Sequence, residues 1–297
     1  MNTSIKHLSP ALRDQLNAAI RIIVHAIHPE KIILFGVYSA EGGAELFTNA
    51  SSPGQLPFDL LIATARSERR ADYELQDILE NRCREVASVT TVIHDIDHIN
   101  RQLIARQYFF SMVAMDGILL YDAGITRLED PGLPDFDAVR KTAEKDFERW
   151  AGQARAFYNN ARFSLQNKEW KITTFLLHQA AEQIYQAILL VFTGYKPTTH
   201  NLDKLRRYTN RLSLELASLF PRDNPEEEHL FRLLTQGYVD ARYKDHFTVS
   251  EQEAGLLSER VQQLLDIAKR VCANHLISLG KKATLLQGQR SSSSRVS

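Results

Sequence analysis

Cysteine is scarce in the 297-residue chain: Cys83 and Cys272 stand far apart, with no CxxC or Cys/His spacing around either. Neither a disulfide framework nor a structural zinc site can be built from them, and a reducing cytoplasm is the natural compartment. Long apolar runs are lacking as well. No stretch approaches the roughly 18 apolar residues of a spanning helix, and the opening Met1-Asn-Thr-Ser-Ile-Lys-His7 has no apolar signal core. Secretion and membrane insertion are not expected. Nor does one sign of charge prevail: Lys plus Arg and Asp plus Glu number 36 each, so bulk basicity does not drive non-specific nucleic-acid binding. Up to Gly124 there are 11 basic and 15 acidic residues, and beyond it 25 and 21. A solvated surface accounts for that small basic excess.

What is present is enough apolar residue, 44% against 24% charged, to bury the cores of two ordinary domains. The first half mixes helix and strand signals. Ser9-Pro10 caps a helix over about 9–27, on which Leu12, Leu16, Ile20, Ile23 and Ile27 repeat at helical spacing. Short apolar runs at 31–35, 58–63, 88–94 and 117–121 read as strands, with helices over about 68–87 and 97–115. Glu41 to Pro57 is rich in Gly, Ser, Asn and Pro and reads as a long flexible, functional or degenerate loop. Residues 125–134 hold Pro131, Gly132 and Pro134 and make the best linker. Helices alone are predicted beyond it, near 135–167, 170–193, 201–220, 225–243 and 250–279, and a disordered polar tail over 281–297. The expected fold class is α+β: a small α/β domain over 1–124, then an all-α bundle over 135–280.

Lys31-Ile-Ile-Leu-Phe-Gly36, followed by Phe58-Asp-Leu-Leu-Ile62, resembles the opening of the polymerase-β-type minimal nucleotidyltransferases. In that family a Gly-Ser turn holds the triphosphate, and carboxylates on neighbouring strands bind two Mg²⁺ ions. The resemblance implies nucleotide-binding roles for Gly36 and Asp59 and metal-binding roles for Asp59 and Asp95, with Asp97 a weaker choice. Mg²⁺ is the implied cofactor if the site retains function. The chain departs from the pattern at the diagnostic positions. Val37 stands where the serine belongs, and the carboxylate missing from the Asp-x-Asp pair falls on Pro57 or on Leu61, depending on which aspartate Asp59 represents. A transferase site short of a ligand is expected to be inactive. His94-Asp-Ile-Asp-His98 suggests a metal cluster, but it sits where a strand becomes a loop, and solvated polar residues are the simpler reading.

In the second half, Phe175-Leu-Leu-His-Gln-Ala-Ala-Glu-Gln-Ile-Tyr-Gln-Ala-Ile-Leu-Leu-Val-Phe192 places apolar residues at three- and four-residue steps, with His178, Gln179 and Glu182 at the border of the stripe. Gly194 and Pro197 end that helix, and Thr198-Thr-His-Asn-Leu202 follows. This helix and turn closely resemble the HEPN family of helical domains. The resemblance implies nucleotide or RNA binding, a homodimer through the helical domain, and service in stress or defence systems of the toxin–antitoxin type.

HEPN ribonucleases carry Arg-x4-6-His, whose arginine stabilises charge at the scissile phosphate while the histidine exchanges protons. The nearest match here is Asp240-Ala-Arg-Tyr-Lys-Asp-His246, with three residues between Arg242 and His246. On a continuous helix the two would share a face. The resemblance therefore implies Arg242 and His246 as catalytic residues, or nucleotide binding through Arg242 and Lys244. His178 and Glu182 could face a ligand groove or simply border the core, and His200 reads as structural, beside a capping Thr199 or Asn201. Lys204, Arg206, Arg207 and Arg211 beside Tyr208 read as a solvated basic face. Four readings stay open: a nucleotide- or RNA-binding fusion with an inactive transferase site, a metal-independent endoribonuclease, an active nucleotidyltransferase, and a bare interaction scaffold.

Overall fold

A computed structural model describes residues 1–37, 58–221, 224–244 and 246–293. They form two compact units that divide between Pro134 and Asp135: a four-stranded sheet with helices, and an all-helical bundle. No helix among the described residues is long and apolar enough to cross a membrane.

The first unit begins with α1 (Pro10–Ile27), where the Ser9 hydroxyl accepts from the Leu12 amide and Pro10 occupies the first turn. Then come β1 (Lys31–Val37), β2 (Phe58–Thr64), α2 (Asp72–Cys83), β3 (Val89–Asp95), α3 (Ile96–Ile104), α4 (Tyr108–Asp116) and β4 (Ile118–Asp122). The strand order is β3-β2-β1-β4, with β2 and β3 parallel and the other two pairs antiparallel. Alternation along the strands sends Ile32, Leu34, Phe58, Leu60 and Ile62 to a core shared with α1 and α2. The opposite face meets α3 and α4, where Phe35 packs edge-on to Phe109 with ring centroids 5.4 Å apart. Asp59, one residue out of phase with Phe58 and Leu60, belongs to this second face.

The sequence predicts one helix over 97–115, and the chain folds two. The break falls at Arg106, whose φ of 54° lies in the left-handed region, and the Gln107 side chain then caps α4 by accepting from the Phe110 amide at 3.1 Å. The expected linker is pinned rather than loose. Asn100 of α3 donates to the Arg127 carbonyl at 3.0 Å and accepts from the Glu129 amide at 2.9 Å.

The second unit comprises α5 (Phe136–Gln166), α6 (Trp170–Thr193), α7 (Leu202–Asn210), α8 (Leu214–Ser218), α9 (Pro225–Gln236), α10 (Asp240–Tyr243) and α11 (Glu251–Ser293). Asp135, Asn201, Ser213 and Asn224 cap α5, α7, α8 and α9 through their side-chain oxygens. The region 201–220 is two helices, separated where Ser213 starts a new cap. Helix α11 continues through Ser293, well past residue 280, where composition suggested the ordered bundle would end.

Helix α6 is the axis of this unit. Leu177, Ala181, Ile184, Ile188 and Val191 are buried, and so are Thr174, His178, Glu182 and Gln186. His178 and Glu182 are therefore core residues rather than border residues. A helix buried around so much of its circumference must find partners for its polar side chains inside the bundle.

Candidate functional site

Gly36 and Asp59 face each other across β1 and β2. A Cβ on Gly36 would lie 2.3 Å from Oδ2 of Asp59, so only glycine leaves room for the carboxyl. Asp59 is 2% exposed. Burial drives its carboxyl well above the usual range; a Thr90 hydrogen bond opposes the rise and the charge of Glu80 adds to it. The neutral acid is thereby favoured over the carboxylate, and a cation would have to displace its proton before Asp59 could serve as a ligand.

Asp95 stands at the far end of the parallel pair. Asp59 registers with Thr90 and Thr64 with Asp95, which puts the two aspartates five steps apart, about 17 Å along the strands at ~3.3 Å per residue. Asp95 is the N-cap of α3, accepting from the His98 amide at 2.8 Å. The metal pair implied by the nucleotidyltransferase resemblance is not gathered here, and the residues present do not fit a two-ion site. Pro57 lies outside the described residues, as does the side chain of Val37.

His94 and His98 stack at 4.4 Å beside Phe110, with His94 3.1 Å from Asp72 and Asp97 paired to Arg66 at 2.6 Å. Burial, then the neighbouring His94, lowers the His98 imidazole. Among the described residues no group of three His, Cys, Asp or Glu side chains is placed to hold a metal ion.

In the helical unit, α10 is a single turn that ends at Tyr243. Lys244 is already extended, with φ −115° and ψ 116°, and the chain turns back with the Phe247 amide on the Lys244 carbonyl. Arg242 is on the helix and His246 is in the turn, both exposed. The shared helical face that their spacing suggested does not exist. Lys244 is held by Asp240 at 2.9 Å, an ion pair that any phosphate would have to compete with.

Arg242 is the better-built residue. Its Nε donates to the Tyr238 carbonyl at 2.7 Å, and its guanidinium carbon lies 4.5 Å from the ring of Tyr238, 5.0 Å from Tyr243 and 5.2 Å from Phe175. Three rings and a carbonyl fix the cation in place while leaving it exposed, a ledge with charge for a phosphate and aromatic surface for a base. The approach of α9 to α6 that forms this ledge depends on Gly237, where a Cβ would come within 2.8 Å of Thr174 Cγ2 and 3.0 Å of the Thr174 carbonyl oxygen. Tyr238 was legible as an i, i+4 partner of Arg242, but Phe175 carried no signal, because it arrives from α6.

Behind the ledge lies a second polar group. His200, 66% exposed, places Nδ1 2.9 Å from Oε1 of Glu182, which is 4% exposed. Gln186 donates to the same oxygen at 3.4 Å, and His178 Nε2 is 3.7 Å from the other oxygen. Burial raises the Glu182 carboxyl, but the neighbouring imidazoles of His178 and His200 outweigh it and leave the group below its ordinary value. The solvated basic face expected around α7 is largely absent. Arg206 is 5% exposed, donating to the Phe220 carbonyl at 3.0 Å and to Asp203 at 2.8 Å over the ring of Phe231 at 3.9 Å, and Tyr208 is buried. A hollow of about 440 Å³ opens beside Trp170, Ile172 and Val249, and none of the sequence-derived site residues lines it.

No curated protein matches the chain. Among solved structures, a nucleotidyltransferase-like protein from Exiguobacterium sibiricum 255-15 is similar at 10% identity, covering 91% of this chain and 79% of that one with a TM-score of 0.30, too slight a likeness for residue-by-residue comparison. Residues 147–271 match the model of the HEPN domain family, from within α5 to within α11, and this stretch of the helical unit is a HEPN domain.

Proposed function

We propose that the protein binds nucleotide or RNA through the Arg242 ledge of its HEPN domain, and that its first unit is a nucleotidyltransferase-like domain without transferase activity. The observation that carries the reading is the guanidinium of Arg242, exposed yet fixed by Tyr238, Tyr243 and Phe175. The reading of a silent transferase site is supported by the burial of Asp59, which favours its neutral acid, and by its separation from Asp95. The HEPN domain also supports a homodimer, for which exposed Phe163 and Ile172 offer apolar surface.

The test is binding of labelled single-stranded RNA and of ATP in EDTA, comparing wild type with Arg242→Ala and Tyr243→Ala. Binding lost in both variants supports the ledge, whereas RNA cleavage lost in Arg242→Ala and His246→Ala would replace binding with a ribonuclease. Asp59-dependent transfer from labelled NTP with Mg²⁺ would restore the transferase.

A further inference from the structure

His178 stands between the ledge and Glu182, and its two ring nitrogens face different demands. Nδ1 lies 3.0 Å from the Leu234 carbonyl oxygen. A carbonyl can only accept, so Nδ1 carries a proton. Nε2 and the Glu182 oxygen 3.7 Å away are both shut off from solvent, and neither has a hydrogen-bond partner among the described residues. With Nδ1 protonated, a neutral His178 turns a lone pair toward a carboxylate, setting two acceptors face to face. A second proton on the ring makes the same geometry a cation beside an anion.

The face of that ring carries the connection outward. It stacks on Tyr238 at 5.1 Å and 26°, and Tyr238 supplies both the carbonyl that takes Arg242 Nε and the ring beneath its guanidinium. His178 thereby holds the end of α9 through Leu234 and the start of the ledge through Tyr238.

We propose that His178 is the positioning residue of the Arg242 ledge, and that a proton shared between His178 and Glu182 holds the ledge ready for the phosphodiester of a single-stranded RNA. The proposal rests on the reading that the ledge binds RNA. The charged groups acting on Glu182 are His178 from α6 and His200 from the turn before α7, and α9 presents only the Leu234 carbonyl to His178, with Tyr238 stacked beyond it. Helices α5, α10 and α11 add no ion pair to the two residues among those described.

The sign follows from the acceptor count. Once His178 loses its second proton, relief requires turning the ring, which abandons Leu234, or withdrawing the segment from Leu234 to Tyr238, and either releases Tyr238 from its stack. RNA binding therefore weakens as pH rises, and the comparison spans about pH 5 to 8, where histidine side chains in general change charge. Glu182→Gln removes the requirement: its amide nitrogen donates to a neutral His178 while its oxygen still accepts from His200.

The experiment measures anisotropy of a labelled oligoadenylate with the full chain in EDTA at constant ionic strength, across that pH range. Wild type is expected to weaken about tenfold more than Glu182→Gln, and His178→Phe, which keeps the stack and loses the proton, should bind weakly with a flat profile. Identical profiles for wild type and Glu182→Gln overturn the proposal. Ring-nitrogen NMR of the wild type keeps it testable should a variant fail to fold: His178 must be doubly protonated where binding is tight, and a singly protonated ring there overturns it. Equal RNA binding by wild type and Arg242→Ala, or none by either, sinks the ledge reading and the proposal with it, whereas Arg242-dependent binding with no difference at Glu182 sinks the proposal alone.

Discussion

Gly36 and Asp59 are register partners in which one residue supplies the space for the other: the carboxyl of Asp59 sits against the α-carbon of Gly36, where any side chain would collide with it. The neighbour is a packed carboxyl rather than the end of a long mobile chain. Gly36→Ala should therefore destabilise the first unit by about 1–3 kcal/mol, and adding Asp59→Ala should recover part of the loss. Denaturation of the two single variants and the double variant gives the coupling, and additive losses would show that the collision is not felt.

The raised carboxyl of Asp59 has a pH signature. Its folded-state pKa lies well above the unfolded value of about 3.9, so its contribution to stability is complete below that value and is lost as pH rises toward the folded pKa. Asp59→Asn carries no proton to lose. The wild type should thus lose stability relative to Asp59→Asn as pH rises above about 4, followed by denaturant midpoints. A constant difference between the two would show that Asp59 ionises in the folded state as readily as in the unfolded one.

Much of this was legible in sequence, where local pattern decides the outcome. The periodicity through Ile184 and Ile188 fixed α6, the caps at Ser9 and Asn201 fixed helix starts, and the apolar run after Asp59 fixed β2. What escaped came from pairing between distant elements. The five-step offset of Asp59 from Asp95 is a property of strand register, not of either strand. His200 meets Glu182 because the chain returns at Gly194 and passes back along α6. The break at Arg106 escaped because an arginine with φ 54° announces nothing in its side chain.

Gly237 offers a test of how the ledge is built. A methyl there would meet Thr174 through both its side chain and its backbone oxygen, and the backbone cannot rotate away. Gly237→Ala should cost about 1–3 kcal/mol and weaken Arg242-dependent RNA binding in the same protein, whereas a substitution at exposed Glu251 should do neither. Unchanged binding in a destabilised variant would separate the ledge from the α6 to α9 contact.

Arg206 should behave as a core residue despite its charge. Its loss leaves the Phe220 carbonyl without that donor and the Phe231 ring without its cover. Arg206→Ala is expected to lower stability by about 1–3 kcal/mol, and Arg206→Lys should recover little, because one ammonium cannot reproduce the two directed bonds of the guanidinium. Equal stability of wild type and Arg206→Ala would return the residue to the solvated face that its sequence suggested.

The pairing of His200 with Glu182 predicts how the HEPN domain responds to acid. Glu182 is held below its ordinary value, so its contribution is present above the unfolded carboxyl pKa of about 4.3 and fades as pH falls through the folded value. His200→Ala withdraws the donor at 2.9 Å and should lower stability at neutral pH while flattening the acid limb. His200→Asn differs in one useful respect, since its amide nitrogen can occupy the place of Nδ1 and donate to the same oxygen. If that bond is the function of His200, the asparagine variant retains most of the stability that alanine loses, and if the two variants are equally stable, the bond contributes nothing to the fold.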